Sequence, residues 1–327
     1  MLKILVLGGG SIGQRHISNL VKIIPRDCIY LYDIEKNQLD FVSKKFKINS
    51  TDKLIYDEYD CLFVCTPPSN HIALATDALK HGCHVFIEKP LSSNSIGISS
   101  LQKLAKKKNL LVFVGYTFRF NVGLNKIKKI LLKNQLGKPL SVSAYFGQYL
   151  PDWRPNQNYK KNYSAVKSLG GGIIHDSSHE IDYLIWLFGN PKEIQSNYIM
   201  TDILKTDVEG IAEIILKFKN NVLGTIHLDF IRREYRRSVE ILCEYGILYW
   251  SLKENKIKVF NSKNNKWIIY PIKENVNDMY LQEIKHVLNC IKQKKTSNII
   301  GLDNGINSHK FSNLIVKSGK IGKRLNV

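Results

Sequence analysis

The chain has 327 residues, which at roughly 150 residues per domain corresponds to about two domains with ample length for a hydrophobic core. Hydrophobic, aromatic and charged residues make up 44%, 10% and 23% of the sequence, and these ordinary globular values exclude a peptide, a disulfide miniprotein, a coiled coil, a fibrous repeat and a disordered chain. The formal net charge of +20 could indicate an anionic partner, but the excess is mostly lysine in runs near predicted helix ends, so we favour solvated faces over nucleic-acid binding.

Strands and helices alternate over roughly the first 120 residues, which predicts a parallel, doubly wound α/β sheet. The strands are predicted at residues 4–7, 28–32, 61–65, 84–87 and 111–115, and the helices at 16–24, 70–81 and 95–107.

After a predicted helix at 124–134 the pattern changes, and strand follows strand with short turns. This predicts a second, α+β domain with a mostly antiparallel, open-faced sheet. Its strands are predicted at residues 140–148, 193–200, 210–217, 222–230, 238–244, 246–252, 256–260 and 267–270, and its helices at 173–187, 280–293 and 305–319. We therefore predict two domains, 1–121 and 122–327.

A glycine-rich turn follows the first predicted strand. Residues 8–13 read Gly-Gly-Gly-Ser-Ile-Gly, which satisfies the GxGxxG pattern of Rossmann dinucleotide-binding domains at a strand-to-helix junction. Asp33 follows the second strand, 20 residues after Gly13, where a carboxylate accepts hydrogen bonds from a ribose diol and repels a 2'-phosphate. The pattern predicts NAD as the cofactor in preference to NADP; a glycine-rich turn with no nucleotide is the alternative.

Three further motifs follow later strands of the same domain: Cys65-Thr66-Pro67-Pro68, Glu88-Lys89-Pro90 and Gly115-Tyr116-Thr117-Phe118-Arg119-Phe120-Asn121. Together with the glycine-rich turn, this series resembles the glucose-fructose oxidoreductase / inositol dehydrogenase (Gfo/Idh/MocA) family of NAD(P)-dependent oxidoreductases over essentially the whole chain. Residues 151–155 and 170–182 are similar to members encoded beside enzymes for bacterial surface sugars, including sialic-acid-like nonulosonates. The resemblance implies hydride transfer between nicotinamide and a carbinol carbon of a sugar or nucleotide sugar.

The resemblance also implies roles for individual side chains. Family members have a cis peptide before the proline of the Glu-Lys-Pro motif, which would direct Lys89 into the cleft to stabilise alkoxide charge; a Lys-Pro pair is otherwise an ordinary loop. His179 would be the general base, although a helix histidine is otherwise more often a packing residue. The cofactor-binding residues are expected to be Gly8, Gly10, Ser11, Ile12, Gly13, Asp33, Thr66, Pro67, Pro68, His71, Glu88 and Lys89, and the substrate-binding residues Arg119, Trp153, Arg154, His175 and Asp182. The histidines show no metal-ligand spacing, so no metal site is predicted.

One position departs from the family pattern. Most relatives have an aspartate four residues before the catalytic histidine, where this chain has His175; its acid is Asp176, three residues before His179. Because both offsets point to neighbouring parts of one helix face, Asp176 is predicted to support His179 in catalysis, with His175 as an alternative substrate contact. The arginines of segment 232–237 offer guanidinium groups suited to phosphate or carboxylate, with an exposed turn or a subunit contact as the alternative.

The six cysteines show neither CxxC spacing nor a paired framework, which predicts reduced thiols in the cytosol. The apolar stretch at residues 4–7 is too short for a signal sequence, and no window approaches about 18 uninterrupted apolar residues, so we expect a cytoplasmic protein without a membrane span. The resemblance implies a homo-oligomer, a dimer or tetramer, built on the second sheet. Two alternatives to a dehydrogenase stay open: an NAD-binding regulator or sensor without turnover, and a sugar lyase or hydrolase that uses transient oxidation by bound NAD.

Overall fold

The computed structural model describes residues 1–155 and 157–327 and divides the chain into two compact units. The first unit holds Met1–Thr117 and Val276–Asn307, and the second holds Phe118–Asn275 and Ser308–Val327. This differs from the predicted division into 1–121 and 122–327. The segment 276–307 returns to the first unit, because its apolar helix face packs there, and a local sequence pattern does not show which unit a tail helix joins.

The first unit contains a six-stranded sheet in which every strand pair is parallel. Its elements up to residue 117 are β1 (Ile4–Leu7), α1 (Ser11–Leu20), β2 (Ile29–Tyr32), α2 (Lys36–Phe46), β3 (Asn49–Ser50), β4 (Cys61–Val64), α3 (His71–Lys80), β5 (His84–Ile87), α4 (Ile98–Lys108) and β6 (Val112–Val114). The strand order β3-β2-β1-β4-β5-β6 is doubly wound, which confirms the parallel, doubly wound sheet predicted from the alternation of strands and helices. Every residue of β1 and β4 is buried, as expected for strands covered on both faces.

The register of this sheet aligns the carboxyl ends of its strands. Leu7 pairs with Tyr32 and Val64, Val64 pairs with Ile87, and Ile87 pairs with Val114. The residues that follow these ends therefore share one edge of the sheet, and they are Gly8, Asp33, Cys65, Glu88 and Gly115. This is the edge where ligands bind in open α/β sheets, and each motif predicted in this unit begins there.

The second unit contains a nine-stranded sheet, in the order β14-β13-β12-β11-β7-β10-β9-β8-β15. The remaining elements of the chain are α5 (Val122–Leu132), β7 (Pro139–Gly147), α6 (Ile173–Asp176), α7 (Ser178–Phe188), β8 (Pro191–Ile199), β9 (Ile211–Phe218), β10 (Leu223–Asp229), β11 (Arg236–Cys243), β12 (Gly246–Ser251), β13 (Lys256–Asn261), β14 (Lys266–Pro271), α8 (Val276–Gln293), α9 (Leu302–Ile321) and β15 (Leu325–Asn326). All its strand pairs are antiparallel except β7 with β10, which confirms the mostly antiparallel sheet.

Burial alternates along the strands of the second sheet. On β9 and β10, for example, Ala212, Ile214, Ile226 and Leu228 are buried, whereas the residues between them are partly or fully exposed. One face of the sheet therefore forms the core of the unit and the other is open.

Within the described ranges, no helix combines the length and apolar character that a membrane span requires. All six cysteines are free thiols, and five of them are buried.

Candidate active site

The glycine-rich turn joins β1 to α1. Gly8 adopts a φ of +97°, and a Cβ there would lie 2.7 Å from the carbonyl oxygen of Cys65, so the turn requires glycine at this position. A Cβ on Gly10, in contrast, would meet no atom within 4 Å. Packing within the protein therefore does not require glycine at position 10, and the open space beside the N-terminus of α1 fits the pyrophosphate of a dinucleotide.

Asp33 follows β2 and is fixed by two backbone donors. Its Oδ2 accepts a hydrogen bond from the backbone nitrogen of Gly9 at 2.6 Å, and its Oδ1 accepts one from Glu35 at 2.9 Å. These bonds join the carboxylate to the glycine-rich turn and keep it half-buried. A negative charge held there suits a ribose diol and opposes the 2'-phosphate of NADP.

Glu88 follows β5 and has a partner on each carboxylate oxygen. Its Oε1 lies 2.5 Å from Nε2 of His16 on α1, and its Oε2 accepts a hydrogen bond from the backbone nitrogen of Lys89 at 3.1 Å. The Lys89–Pro90 peptide bond is cis, as the resemblance implied. The side chain of Lys89 is half-buried beside this turn.

His71, at the start of α3, joins two motifs of the first unit. Its Nε2 lies 2.8 Å from the carbonyl oxygen of Thr66, and its Nδ1 lies 3.0 Å from that of Pro90. Burial lowers the pKa of His71, which favours the neutral imidazole. The neutral ring carries one N–H, so it donates a hydrogen bond to one of these two carbonyl oxygens and lies in contact with the other. Direct cofactor contacts by His71, Thr66, Pro67 and Pro68 stay predictions.

A second buried carboxyl group, Glu283 on α8, was missed by the sequence reasoning. It is fully buried, and the hydroxyl of Thr117 donates a hydrogen bond to its Oε2 at 3.1 Å. Burial, and then the negative charge of Glu88, hold the pKa of Glu283 well above the usual range for glutamate, which favours the protonated acid. The signal that could have found it is its place on the apolar face of α8, one turn from Met279 and from Val287.

In the second unit, the glycine-rich segment 170–172 begins α6. Gly172 has a φ of +114°, and a Cβ there would lie 2.4 Å from Oε1 of Glu209. That oxygen accepts a hydrogen bond from the backbone nitrogen of Ile174 at 3.2 Å. Glycine is therefore needed because the carboxyl group of the half-buried Glu209 occupies the start of the helix, where it accepts a hydrogen bond from a helical amide. Burial raises the pKa of Glu209.

His179 lies in the first turn of α7 and is 7% exposed. The edge of its ring contacts Phe118, with ring centroids 4.9 Å apart. One turn later, Asp182 accepts two hydrogen bonds from Arg119, at 2.9 and 2.8 Å, and one from the hydroxyl of Ser308 at 2.6 Å. Arg119 and Asp182, both predicted to bind substrate, thus form a buried ion pair with each other; a further contact with substrate stays a prediction.

The predicted helix over 173–187 is wrong in one respect, because the chain forms two helices separated at Ser177. That residue has φ −94° and ψ 29°, which ends α6, and α7 begins at the next residue. Asp176 and His179 therefore do not lie on one continuous helix, as the spacing argument assumed. Asp176 is 3% exposed, and the hydroxyl of Tyr163 donates a hydrogen bond to its Oδ1 at 2.6 Å.

His175 stands four residues before His179, where the resemblance implied an aspartate. Its ring is stacked near that of His309 on α9, with centroids 6.4 Å apart. Burial, and then the neighbouring His309, lower the pKa of His175 to about 4, against an opposing effect of Asp176. His175 is therefore a neutral hydrogen-bonding group at neutral pH.

The other predicted substrate residues lie in the segment after β7. The indole nitrogen of Trp153 donates a hydrogen bond to the carbonyl oxygen of Gln148 at 3.3 Å, and its ring packs against Phe146 and Phe230. Arg154 is half-buried. Their contacts with a substrate stay predictions.

The arginines of segment 232–237 do not form one cluster. Arg232 and Arg236 lie over the ring of Tyr145, at 5.3 and 4.2 Å from its centroid, and Arg233 lies over Tyr149 at 3.5 Å. Arg237 points to the core face of the sheet, where it pairs with a buried glutamate.

Within the described part of the chain, no group of three or more His, Cys, Asp or Glu side chains is arranged to hold a metal ion.

A doubly wound parallel sheet whose carboxyl edge carries this glycine-rich turn and Asp33 defines a dinucleotide-binding domain. Comparison with family models gives the same class. The model described as an oxidoreductase family with an NAD-binding Rossmann fold matches residues 2–116, and the Gfo/Idh/MocA C-terminal domain model matches residues 124–249. The chain belongs to the Gfo/Idh/MocA family, and its cofactor is NAD.

Individual relatives are distant but extensive. Myo-inositol 2-dehydrogenase of Thermotoga maritima is 26% identical over 320 residues, which cover 92% of this chain and 92% of that protein. Glucose-6-phosphate 3-dehydrogenase of Bacillus subtilis is 26% identical over 242 residues, 69% of this chain and 67% of that protein. A levoglucosan dehydrogenase solved with NADH and L-sorbose matches with a TM-score of 0.87 at 18% identity, covering 100% of this chain and 98% of that chain, and this likeness shows the fold.

Proposed function

We propose that the protein is a dehydrogenase that passes a hydride between NAD and a carbinol carbon of a sugar or polyol. The observation that carries the proposal is the edge of the first sheet, where the turn at Gly8, the fixed carboxylate of Asp33 and the Glu88–Lys89 turn follow neighbouring strands. This edge combines a dinucleotide site with a half-buried amine. NAD, when bound, supplies nicotinamide C4 as the hydride acceptor. The names of the inositol and glucose-6-phosphate dehydrogenases among the relatives support a CH–OH group as the donor.

Two side chains carry the proton chemistry in this proposal. His179 accepts the proton of the reacting hydroxyl group as a general base. The ammonium group of Lys89 donates a hydrogen bond to the same oxygen and stabilises the alkoxide charge that develops as hydride leaves. Lys89 belongs to the first unit and His179 to the second, and the family resemblance is the support for a shared role.

The first experiment is to incubate the purified protein with NAD and a panel of inositols, hexoses and phosphorylated hexoses and to measure NADH. Accumulation of free NADH supports a dehydrogenase. No change with any sugar points to a regulator or sensor, and a cleaved sugar without net NADH points to a lyase or hydrolase that oxidises its substrate transiently.

Substitution then tests the two residues. Lys89→Ala and His179→Ala should each lower kcat about 100- to 10,000-fold with NAD binding largely unchanged, because both act on the substrate oxygen. Lys80→Ala and His81→Ala, which change exposed side chains of the same residue types in the first unit, are controls that should keep full turnover. Near-normal turnover of either active-site variant refutes the role proposed for that residue.

We further propose that the substrate is a sugar of surface-glycan biosynthesis, and the support is the sequence likeness at residues 151–155 and 170–182. Such sugars often carry a carboxylate or a nucleotide, and Arg232 and Arg236 offer guanidinium groups around Tyr145. Neutralising either arginine should raise the KM of an anionic sugar far more than that of a neutral one. Equal effects on both kinds of sugar would remove this part of the proposal.

We also propose that the protein forms a homo-oligomer, a dimer or tetramer, through the open face of the second sheet. That face carries large apolar side chains that are 42% to 57% exposed, namely Ile215, Leu223, Leu242, Trp267 and Ile269. Light scattering of the purified protein gives the mass, and Ile215→Lys should lower it if the face is the interface.

The predicted location is the cytoplasm, which agrees with six free cysteines.

A further inference from the structure

A buried hydrogen bond joins α1 to the Glu88–Lys89 turn. His16 is 0% exposed and Glu88 is 6% exposed, and Nε2 of the imidazole lies 2.5 Å from Oε1 of the carboxylate. A carboxylate only accepts, so the hydrogen of this bond belongs to Nε2. A hydrogen bond to a charged group in a buried site is among the stronger ones in proteins.

The ring of His16 is held in one orientation by aromatic side chains. Phe63 on β4, Phe86 on β5 and Tyr280 on α8 meet it edge-on, with ring centroids 5.5, 5.1 and 6.1 Å away. This enclosure leaves the imidazole little freedom to turn, so Nε2 stays directed at Glu88.

Glu88 is confined on its other sides as well. Its Oε2 accepts the hydrogen bond from the backbone of Lys89, and a Cβ on Gly115 would lie 3.3 Å from the Glu88 carboxyl group. Glu283 is close enough for the negative charge of Glu88 to raise its pKa. If His16 were removed, Oε1 of Glu88 would lose its donor, and only the bond from the Lys89 backbone to Oε2 would still hold the carboxylate.

We propose that His16 is a positioning residue for the cofactor site: its hydrogen bond to Glu88 fixes the Glu88–Lys89 turn relative to the glycine-rich turn at the start of the same helix. The inference rests on the proposed function and on the expected contact of Glu88 with the cofactor. His16 itself lies in the second turn of α1, three residues after Gly13, and the sequence alone predicts no role for it.

The test measures NADH binding directly, by the fluorescence of the bound dinucleotide. His16→Ala should raise the dissociation constant for NADH about 10- to 100-fold, the factor for losing a hydrogen bond to a charged group. His16→Gln, which keeps an N–H donor near the position of Nε2, should restore most of the affinity. An affinity of His16→Ala equal to that of the wild type overturns the proposal.

Asn19→Ala is the matched control for a merely structural effect. Asn19 is also fully buried on α1, and it exchanges hydrogen bonds with Asn277 on α8 at 3.1 and 2.7 Å without contacting Glu88. It should lower the melting temperature and leave NADH affinity unchanged. A loss of affinity in Asn19→Ala as large as that in His16→Ala would assign His16 to helix packing alone.

A double-mutant cycle identifies the partner. If His16 acts through Glu88, then His16→Ala combined with Glu88→Gln should bind NADH no more weakly than the poorer single variant, and additive losses overturn the proposal. The Cβ of Gly115→Ala would lie 3.0 Å from Phe86 and 3.3 Å from the same carboxyl group, so this variant should also weaken NADH binding and is available should His16→Ala fold poorly. These readouts need no sugar: a protein that binds NADH but oxidises no sugar contradicts the proposed function without affecting this test.

Discussion

Arg237 and Glu180 form an ion pair on the core side of the second sheet, with Nε 2.8 Å from Oε1, and Glu180 is fully buried. The guanidinium group lies between the rings of Phe118 and Phe146, at 4.5 and 4.1 Å from their centroids. Glu180 follows His179 directly on α7. With the Arg119–Asp182 pair, two ion pairs therefore fix the turn of α7 that carries the proposed general base.

We expect that removing one member of this ion pair destabilises the protein more than replacing both members by apolar residues. Glu180→Leu or Arg237→Met alone should lower stability by about 3–5 kcal/mol, because each leaves a buried charge without a partner. The double variant should lose much less. Melting temperatures read this directly, at about 2–4 °C per kcal/mol for a unit of this size. A double variant as unstable as the sum of the single variants would show no coupling between the two side chains and would contradict this prediction.

Cofactor choice should depend on Asp33, because its carboxylate is held in place by Gly9 and Glu35 and cannot easily move away from a 2'-phosphate. Titration should show that the wild type binds NAD more tightly than NADP. Asp33→Ser should weaken NAD binding and lower the ratio of NAD affinity to NADP affinity about tenfold or more. About 1.4 kcal/mol of like-charge repulsion corresponds to a factor of ten. NADP binding equal to or tighter than NAD in the wild type would contradict the role of Asp33.

Much of the fold could be predicted because the decisive patterns are local. The buried runs of β1 and β4 and the glycine-rich turn occupy only a few consecutive residues. Pairing between distant segments was not predictable in the same way. The parallel pairing of β7 with β10 and the return of α8 to the first unit depend on tertiary packing, and β3 and β15 have only two residues each.

The same distinction applies to the candidate site. The sequence identified Asp33 and the Glu88–Lys89 turn from motifs, but not the partners that fix them. His16 is 72 residues from Glu88, and Glu283 is 166 residues from Thr117. Polar residues on apolar helix faces were the available signal for both, and their partners could be found only in three dimensions.

Glu283 should make stability depend on pH. Its pKa is raised in the folded protein above the ordinary value of 4.5, so the folded state keeps a proton that the unfolded chain releases. Its contribution to stability is therefore full below pH 4.5 and is lost as the pH rises toward the folded pKa. Glu283→Gln lacks this loss and keeps an acceptor for Thr117. The melting temperature of Glu283→Gln minus that of the wild type should increase from pH 5 to pH 8. The same difference for Glu58→Gln, which changes an exposed side chain, should stay constant.

His175 should have the opposite pH dependence. Its folded pKa of about 4 lies below the ordinary 6.5, so the unfolded chain binds a proton that the folded protein resists. Stability should be constant above pH 6.5 and fall by up to about 3 kcal/mol as the pH drops toward 4. His175→Gln should remove this part of the acid sensitivity, with His309 and Asp176 as the neighbouring ionisable groups. If the melting temperatures of the variant and the wild type change by the same amount between pH 8 and pH 4.5, the lowered pKa of His175 is contradicted.

Asp176 could serve catalysis through its charge or serve structure through its hydrogen bond, and two variants separate these roles. Asp176→Asn removes the charge but keeps an oxygen to accept the bond from Tyr163, whereas Tyr163→Phe removes the bond and keeps the charge. If the carboxylate stabilises the protonated form of His179, Asp176→Asn should lower kcat about tenfold or more and shift the pH-rate profile, because a nearby anion favours the charged imidazole. Tyr163→Phe should then lower the melting temperature while keeping most of the turnover. An Asp176→Asn variant with wild-type rate and pH dependence would give Asp176 a structural role at the end of α6, where it is separated from α7 by Ser177, and would leave Lys89 and His179 as the minimal catalytic pair.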